Sequence, residues 1–238
     1  MGLRPSLGLE PIDYNRAPAK SKTGETRGSQ GNRFNMQSVC IFCGSNPGKG
    51  PVYAEATRAL VQALAAAGIR IVFGGGKVGL MGVVAEAAIA AKAHVIGVTP
   101  RKLLEHEVVH TGLTELHVAD SMAERKALMA SMADAFIVLP GGMGTLDETF
   151  EMMTLTQLGV QRKACGLLNV AGFYDRLIGF LDHAVNERFI RAEHRDMIVV
   201  DDDPQRMIER LRTWTRPEVS KWMDRKPGLS RRGVLIST

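Results

Sequence analysis

From Val39 onward, short apolar runs alternate with longer segments whose apolar residues recur every three or four positions. The runs Val39–Cys43, Ile69–Phe73, His94–Val98, Glu115–Val118, Ala135–Leu139, Cys165–Leu168 and Met197–Val200 predict strands. The helical spacing predicts helices over Tyr53–Ala67, Leu80–Lys92, Met122–Met132, Leu146–Leu158, Tyr174–Glu187 and Pro204–Thr213, the last with proline in its first turn. Strands that are apolar on both faces, each followed by a helix, imply a parallel sheet covered on both sides. The expected architecture is α/β: a single doubly wound parallel sheet of about seven strands with helices on both faces. In open sheets of this kind ligands bind at the carboxyl ends of the strands, so the chemistry is sought in the loops that follow them.

The two ends of the chain lack this periodicity. Residues 1–37 are rich in Pro, Gly, Ser, Arg and Asn and read as a disordered basic leader. Residues 38–212 form the expected domain, and 213–238 a tail in which Trp214 and Trp222 suggest partial packing. The leader carries six Lys/Arg against three Asp/Glu and the tail six against two, so the domain itself has a net charge of −2 although the chain totals +5. A basic excess confined to the ends does not make a nucleic-acid surface, and no nucleic-acid partner is expected. Val83–Val98 is the longest weakly polar stretch, and Glu86, Lys92 and His94 interrupt it, so no membrane association is expected either. The start of the chain has no apolar signal core, and the expected location is cytoplasmic.

Cys40 and Cys43 form a C-x-x-C, but within an apolar strand their side chains point to opposite faces, which favours buried thiols over a redox or zinc pair. Asp201-Asp202-Asp203 precedes Pro204 and a helix, where capping explains it, and the histidines show no ligand spacing; no metal is expected.

Three strand ends are marked by glycine. Gly44-Ser45-Asn46-Pro47-Gly48-Lys49-Gly50 is one residue short of a P-loop, and Gly50 stands where Ser or Thr would ligate magnesium, so triphosphate hydrolysis is not expected. Gly74, Gly76 and Gly79 satisfy G-x-G-x-x-G, but the next strand ends in Thr99-Pro100 without the acid that a dinucleotide ribose requires. The remaining reading is backbone approach to an anion beside a helix start. The third, Pro140-Gly141-Gly142-Met143-Gly144-Thr145-Leu146-Asp147-Glu148, is the most specific segment of the chain.

That last segment fits the P-G-G-x-G-T-x-x-E signature of the Lonely Guy family, the cytokinin riboside 5′-monophosphate phosphoribohydrolases. Phe42-Cys43-Gly44-Ser45, Gly74-Gly75-Gly76 with Gly79-Leu80-Met81-Gly82, and Met122 with Arg125-Lys126 resemble the family's motifs in the same order. The resemblance spans about residues 38–212 and implies a dimeric, Rossmann-like hydrolase without cofactor. Such an enzyme splits the N-glycosidic bond of a purine nucleoside 5′-monophosphate, with adenine or N6-modified adenine as base, into free base and ribose 5-phosphate. It implies catalytic roles for Arg125 and Glu148, and substrate contacts from Gly44, Ser45, Gly75, Gly76, Glu107, Met122, Lys126 and the segment Gly141, Gly142, Met143, Gly144, Thr145, Leu146 and Asp147. Two positions depart from the pattern: Ala123 where the family often has His, and Asp147 where many relatives have Glu.

Blander readings of the same residues stand beside these. Thr145-Leu146-Asp147-Glu148 also reads as a capping box with Thr145 as N-cap, which would make Glu148 structural, and Ser121-Met122-Ala123-Glu124 reads the same way. Arg125 and Lys126 near a helix N-terminus oppose its dipole, a placement that a bound anion would justify. Glu107 could equally be a solvated loop acid. The alternatives in function are a nucleotide carrier without catalysis, a pyridoxal-phosphate decarboxylase using Lys77, Lys126 or Lys163, and an NAD-dependent dehydrogenase.

Overall fold

The computed structural model describes residues 35–105 and 109–217. Seven parallel strands form one sheet: β1 (Ser38–Phe42), β2 (Arg70–Phe73), β3 (Val95–Pro100), β4 (Glu115–Ala119), β5 (Ala135–Val138), β6 (Cys165–Leu168) and β7 (Ile198–Asp201). Their order across the sheet is β4-β3-β2-β1-β5-β6-β7. The helices are α1 (Val52–Ala66), α2 (Gly79–Ala90), α3 (Arg101–Glu105), α4 (Met122–Met132), α5 (Met143–Leu158), α6 (Asp175–Asn186), α7 (Ala192–Arg195) and α8 (Pro204–Thr213). All the expected strands and long helices form, with ends shifted by up to three residues. The helices α3 and α7, five and four residues long, are too short to leave a periodic trace in the sequence.

Alternate residues of each strand feed two cores. Val39, Ile41 and Cys43 enter the layer with Leu60 and Leu64 of α1, Val84 of α2 and Met207 and Leu211 of α8. Cys40 and Phe42 enter the opposite layer with Met129 of α4, Met152 of α5 and Tyr174. The two cysteines of the C-x-x-C therefore lie on opposite sides of the sheet, as strand geometry requires. Phe42 and Phe136 stack across neighbouring strands with centroids 5.6 Å apart. Fully burying such side chains contributes roughly 1.5–3 kcal/mol each, and β1 is the middle strand of the seven.

The helices after β1 and β5 lie on opposite faces, so the chain leaves this strand pair in two directions and opens a crevice at its carboxyl end. Just beyond α8, Trp214 donates its indole N–H to Met197 O at 3.1 Å, and Arg216 donates to the carbonyls of Thr156 and Gln157 at the end of α5. Trp222 lies outside the described residues.

Candidate active site

A cavity of about 540 Å³ occupies the crevice beyond β1 and β5. Its walls come from the segments that follow five strands, β1, β2, β4, β5 and β6, and the three glycine-marked loops are bound to one another there. Gly44 N–H donates to Pro140 O at 3.0 Å, and Leu80 N–H donates to Gly44 O at 3.0 Å. Gly79, at φ +58°, presses against the backbone of Ser45 and Asn46 so closely that any Cβ would overlap it. Gly141 meets the side chain of Thr145 and the Gly44 amide in the same way. We expect Gly141→Ala to raise KM for a phosphorylated ligand about tenfold or more by pushing these loops apart, measured by steady-state kinetics and by the protein's unchanged far-ultraviolet circular dichroism.

Helix α5 starts earlier than its apolar spacing predicts, with Gly142 as the N-cap residue and Gly159 in the left-handed region at its end. The first hydrogen bond within it runs from Leu146 N–H to Gly142 O, so the amides of Met143, Gly144 and Thr145 precede the helical ladder and form a dipole-positive rim of the cavity. This corrects the capping-box reading of Thr145-Leu146-Asp147-Glu148. Thr145 sits inside the first turn, and Glu148 is too far along the helix to reach the N-cap amide. The carboxylate turns instead to Arg125, whose Nη1 donates to Glu148 Oε1 at 2.6 Å. The other capping box forms in part: Ser121 Oγ accepts from Glu124 N–H, while Glu124 Oε2 accepts from the amide of Asp120, one residue before the N-cap. Asp203 likewise caps α8 by accepting from Arg206 N–H at 2.8 Å.

Arg125 and Glu148 form the floor of the cavity and are nearly covered, at 7% and 8% exposure. Arg125 Nε also donates to Val98 O at 2.9 Å, which fixes the guanidinium plane. Burial pushes the Glu148 carboxyl above the usual carboxylate range, and the adjacent Arg125 charge opposes but does not cancel that effect. The Cys43 thiol, also on the wall, is pushed far up by burial and by the Glu148 charge, and stays a protonated, unreactive group.

The structure brings Gly44, Ser45, Met122, Arg125, Gly141, Gly142, Met143, Gly144, Thr145, Asp147 and Glu148 to this one cavity. Four expected contacts lie elsewhere. Gly75 and Gly76 sit behind the wall, where Gly75 packs on Gly97 and Gly76 on Met81. Leu146 and Lys126 face a shallow groove beside the cavity. Lys126 Nζ is held there by Asp147 at 2.9 Å and Glu151 at 2.5 Å. Partial burial would lower its pKa, but these two bonds outweigh it and raise the ammonium above its ordinary value. Glu107 lies outside the described residues. Sequence reasoning missed Tyr53, Met81 and Phe173 on the cavity wall. Phe173 follows the end of β6, where the strand-end rule alone would have directed attention. Among the described residues, no group of three His, Cys, Asp or Glu is arranged to hold a metal ion.

A family model described as possible lysine decarboxylase matches residues 81–211. The chain is 44% identical over 176 residues to a cytokinin riboside 5′-monophosphate phosphoribohydrolase of Arabidopsis thaliana, covering 74% of this chain and 81% of that one. It is 43% identical over 178 residues to the enzyme of that name from Rhodococcoides fascians, covering 74% and 90%. A rice relative of the same name is 41% identical over 198 residues, covering 82% and 81%. The chain belongs to the cytokinin riboside 5′-monophosphate phosphoribohydrolase family. Among solved structures, the molybdenum cofactor binding protein of Rippkaea orientalis superposes with a TM-score of 0.54 at 20% identity, over 72% of this chain and 93% of that one. The molybdenum cofactor carrier protein of Chlamydomonas reinhardtii gives 0.53 at 16%, over 70% and 90%. These two share the fold.

The family model's decarboxylase description implies a pyridoxal-phosphate lysine, and the residues do not fit one. No lysine is among the side chains lining the cavity. Lys126 is tied to two carboxylates in the groove outside, and Lys163 donates to Ala130 O on another side of α4.

Proposed function

We propose that this chain hydrolyses the N-glycosidic bond of an adenine or N6-modified adenine riboside 5′-monophosphate, releasing the base and ribose 5-phosphate. One observation carries the reading: a buried carboxylate, Glu148, paired with Arg125 on the floor of a cavity whose rim is the amide-bearing start of α5. The rim suits a dianionic phosphate, because unpaired amides and the helix dipole both favour negative charge there. Holding the phosphate positions the ribose, so remote binding energy lowers the barrier at the reacting carbon. As the C1′–N bond lengthens, positive charge grows on the sugar, and the Glu148 carboxylate faces that charge. Water adds at C1′, and the departing base takes up a proton. Arg125 acts by its charge, favouring the ionised form of Glu148 against the effect of burial and holding it in place. No cofactor takes part.

The test is to incubate the protein with a panel of nucleoside monophosphates and resolve the products by chromatography. Equimolar free base and ribose 5-phosphate are expected, and intact nucleotide in every tube would refute the reading. The finer parts of the proposal are a domain spanning 38–212, a homodimer and a cytoplasmic location. The dimer is supported by an exposed apolar stripe along α5, with Met143, Phe150 and Leu158 on one side of the helix. Light scattering should return twice the 25.9 kDa chain mass. Three buried, unbridged cysteines suit a reducing compartment, and no described helix is long and apolar enough to cross a membrane.

A further inference from the structure

The triplet Gly74-Gly75-Gly76 looks in sequence like a phosphate cradle, yet none of its residues lines the cavity. Gly75 has φ +74°, which explains glycine there on backbone grounds. Gly74 has no such need, because its φ lies outside the left-handed region. What glycine supplies at position 74 is the missing side chain. A Cβ built there would overlap Arg125 Nη2 and come within 3.0 Å of Met81 Sδ. Gly76 repeats the pattern, since its Cβ would fall 2.7 Å from Met81 Cε. Both side chains seated in this way, Arg125 and Met81, reach the cavity wall.

We infer that Gly74 is a positioning residue: the space it leaves is the socket in which the Arg125 guanidinium lies, and through Arg125 it sets the place and charge of Glu148. This rests on the catalytic reading given above. Three surfaces then define the guanidinium. The Val98 carbonyl takes Nε, the Glu148 carboxylate takes Nη1, and the bare Cα of Gly74 admits Nη2. Val98 belongs to β3 and Gly74 directly follows β2, so two adjacent strand ends make a slot for a side chain that arrives from α4. Arg125 is 7% exposed and bonded at both Nε and Nη1, so its guanidinium cannot shift outward without straining those two bonds. A methyl group at position 74 must therefore move the guanidinium, and with it the 2.6 Å bond to Glu148. Met81 has three rotatable bonds and can adapt to the same methyl group, which leaves Arg125 as the group that pays in position.

The experiment compares wild type, Gly74→Ala, Arg125→Lys and the double variant, by kinetics and by melting temperature. The Gly74→Ala enzyme should lose about tenfold or more in kcat while KM for the nucleotide stays within twofold, because the phosphate rim is untouched. The acid limb of its pH profile should move upward, since a displaced guanidinium no longer counters the burial that raises Glu148. A general loosening of the fold would not move that limb. Lysine has no Nη2 to collide, so Gly74→Ala should lower the melting temperature much less in the Arg125→Lys background than in wild type. An equal loss in both backgrounds, or a Gly74→Ala enzyme with wild-type kcat and pH profile, would overturn the socket. If Gly74→Ala alone fails to fold, a folded double variant supports the inference and an unfolded one overturns it. Should wild type release no base from any nucleotide, the proposed function fails, and the melting comparison still decides the socket by itself.

Discussion

Glu148→Gln should abolish most base release while leaving the protein folded. The expected loss in kcat is about a hundred- to a thousandfold, the range seen when one charge-stabilising group is removed from an enclosed site. Glutamine keeps an oxygen that can accept from Arg125 Nη1, so the 2.6 Å contact survives in form while the negative charge opposite the sugar is lost. Glu148→Leu is the informative contrast. It leaves the nearly covered guanidinium without an acceptor, and breaking a buried pair in that way costs roughly 3–5 kcal/mol. Activity assays and melting curves on the two variants separate catalysis from scaffolding. A carrier that merely binds nucleotide would have no base release for Glu148→Gln to remove.

The pH dependence follows from the same pair. Burial raises the Glu148 pKa above its unfolded value, with Arg125 partly opposing. The native state then holds a proton over a pH range in which the unfolded chain has lost it, so this group's contribution to stability declines as pH rises through the folded pKa. The carboxylate that the proposed mechanism uses for turnover appears over that same range. Activity should therefore rise while this one contribution to stability falls, with the acid limb lying above the ordinary glutamate value.

Removing the phosphate from the substrate should weaken kcat/KM by about two to four powers of ten. Two charge-assisted hydrogen bonds at the start of α5, at roughly 1.5–3 kcal/mol each, supply about 3–6 kcal/mol. Part of that appears in kcat, because the phosphate orients the ribose against the carboxylate. Comparing each nucleoside with its 5′-monophosphate under identical conditions checks this, and equal rates on the two would contradict a rim that works by anion binding.

The sheet was legible because its strands are apolar on both faces and its helices are long enough to show their period. The strand-end rule directed attention to loops that wall the cavity, whereas its place beside β1 and β5 came only with the order of the strands. What the sequence hid was direction. Thr145 and Glu148 have capping-box spacing, yet an extra turn beginning at Met143 moves that box into the helix and frees Glu148 for Arg125. Lys126 neighbours Arg125 in the chain, but one helical step of about 100° sends its ammonium to Asp147 and Glu151 in the outer groove. The glycine triplet was recognisable as a place of close approach, although the approaching group is a side chain of this protein. Tyr53 and Phe173 carry no motif and meet across 6.0 Å only after folding.

The contact between Arg216 and the last carbonyls of α5 gives the far end of the chain a bearing on the chemistry. A helix of 16 residues is about 24 Å long, so this cation stands that far behind the phosphate rim, on the same axis. The backbone dipole is thus met at its rear pole by a guanidinium, and the proposed function would set the substrate's phosphate at its front pole. Arg216, in a segment whose composition reads as an appendage, serves as a fixed counter-charge, and the helix that carries Glu148 is held at its far end by a residue that lies beyond α8.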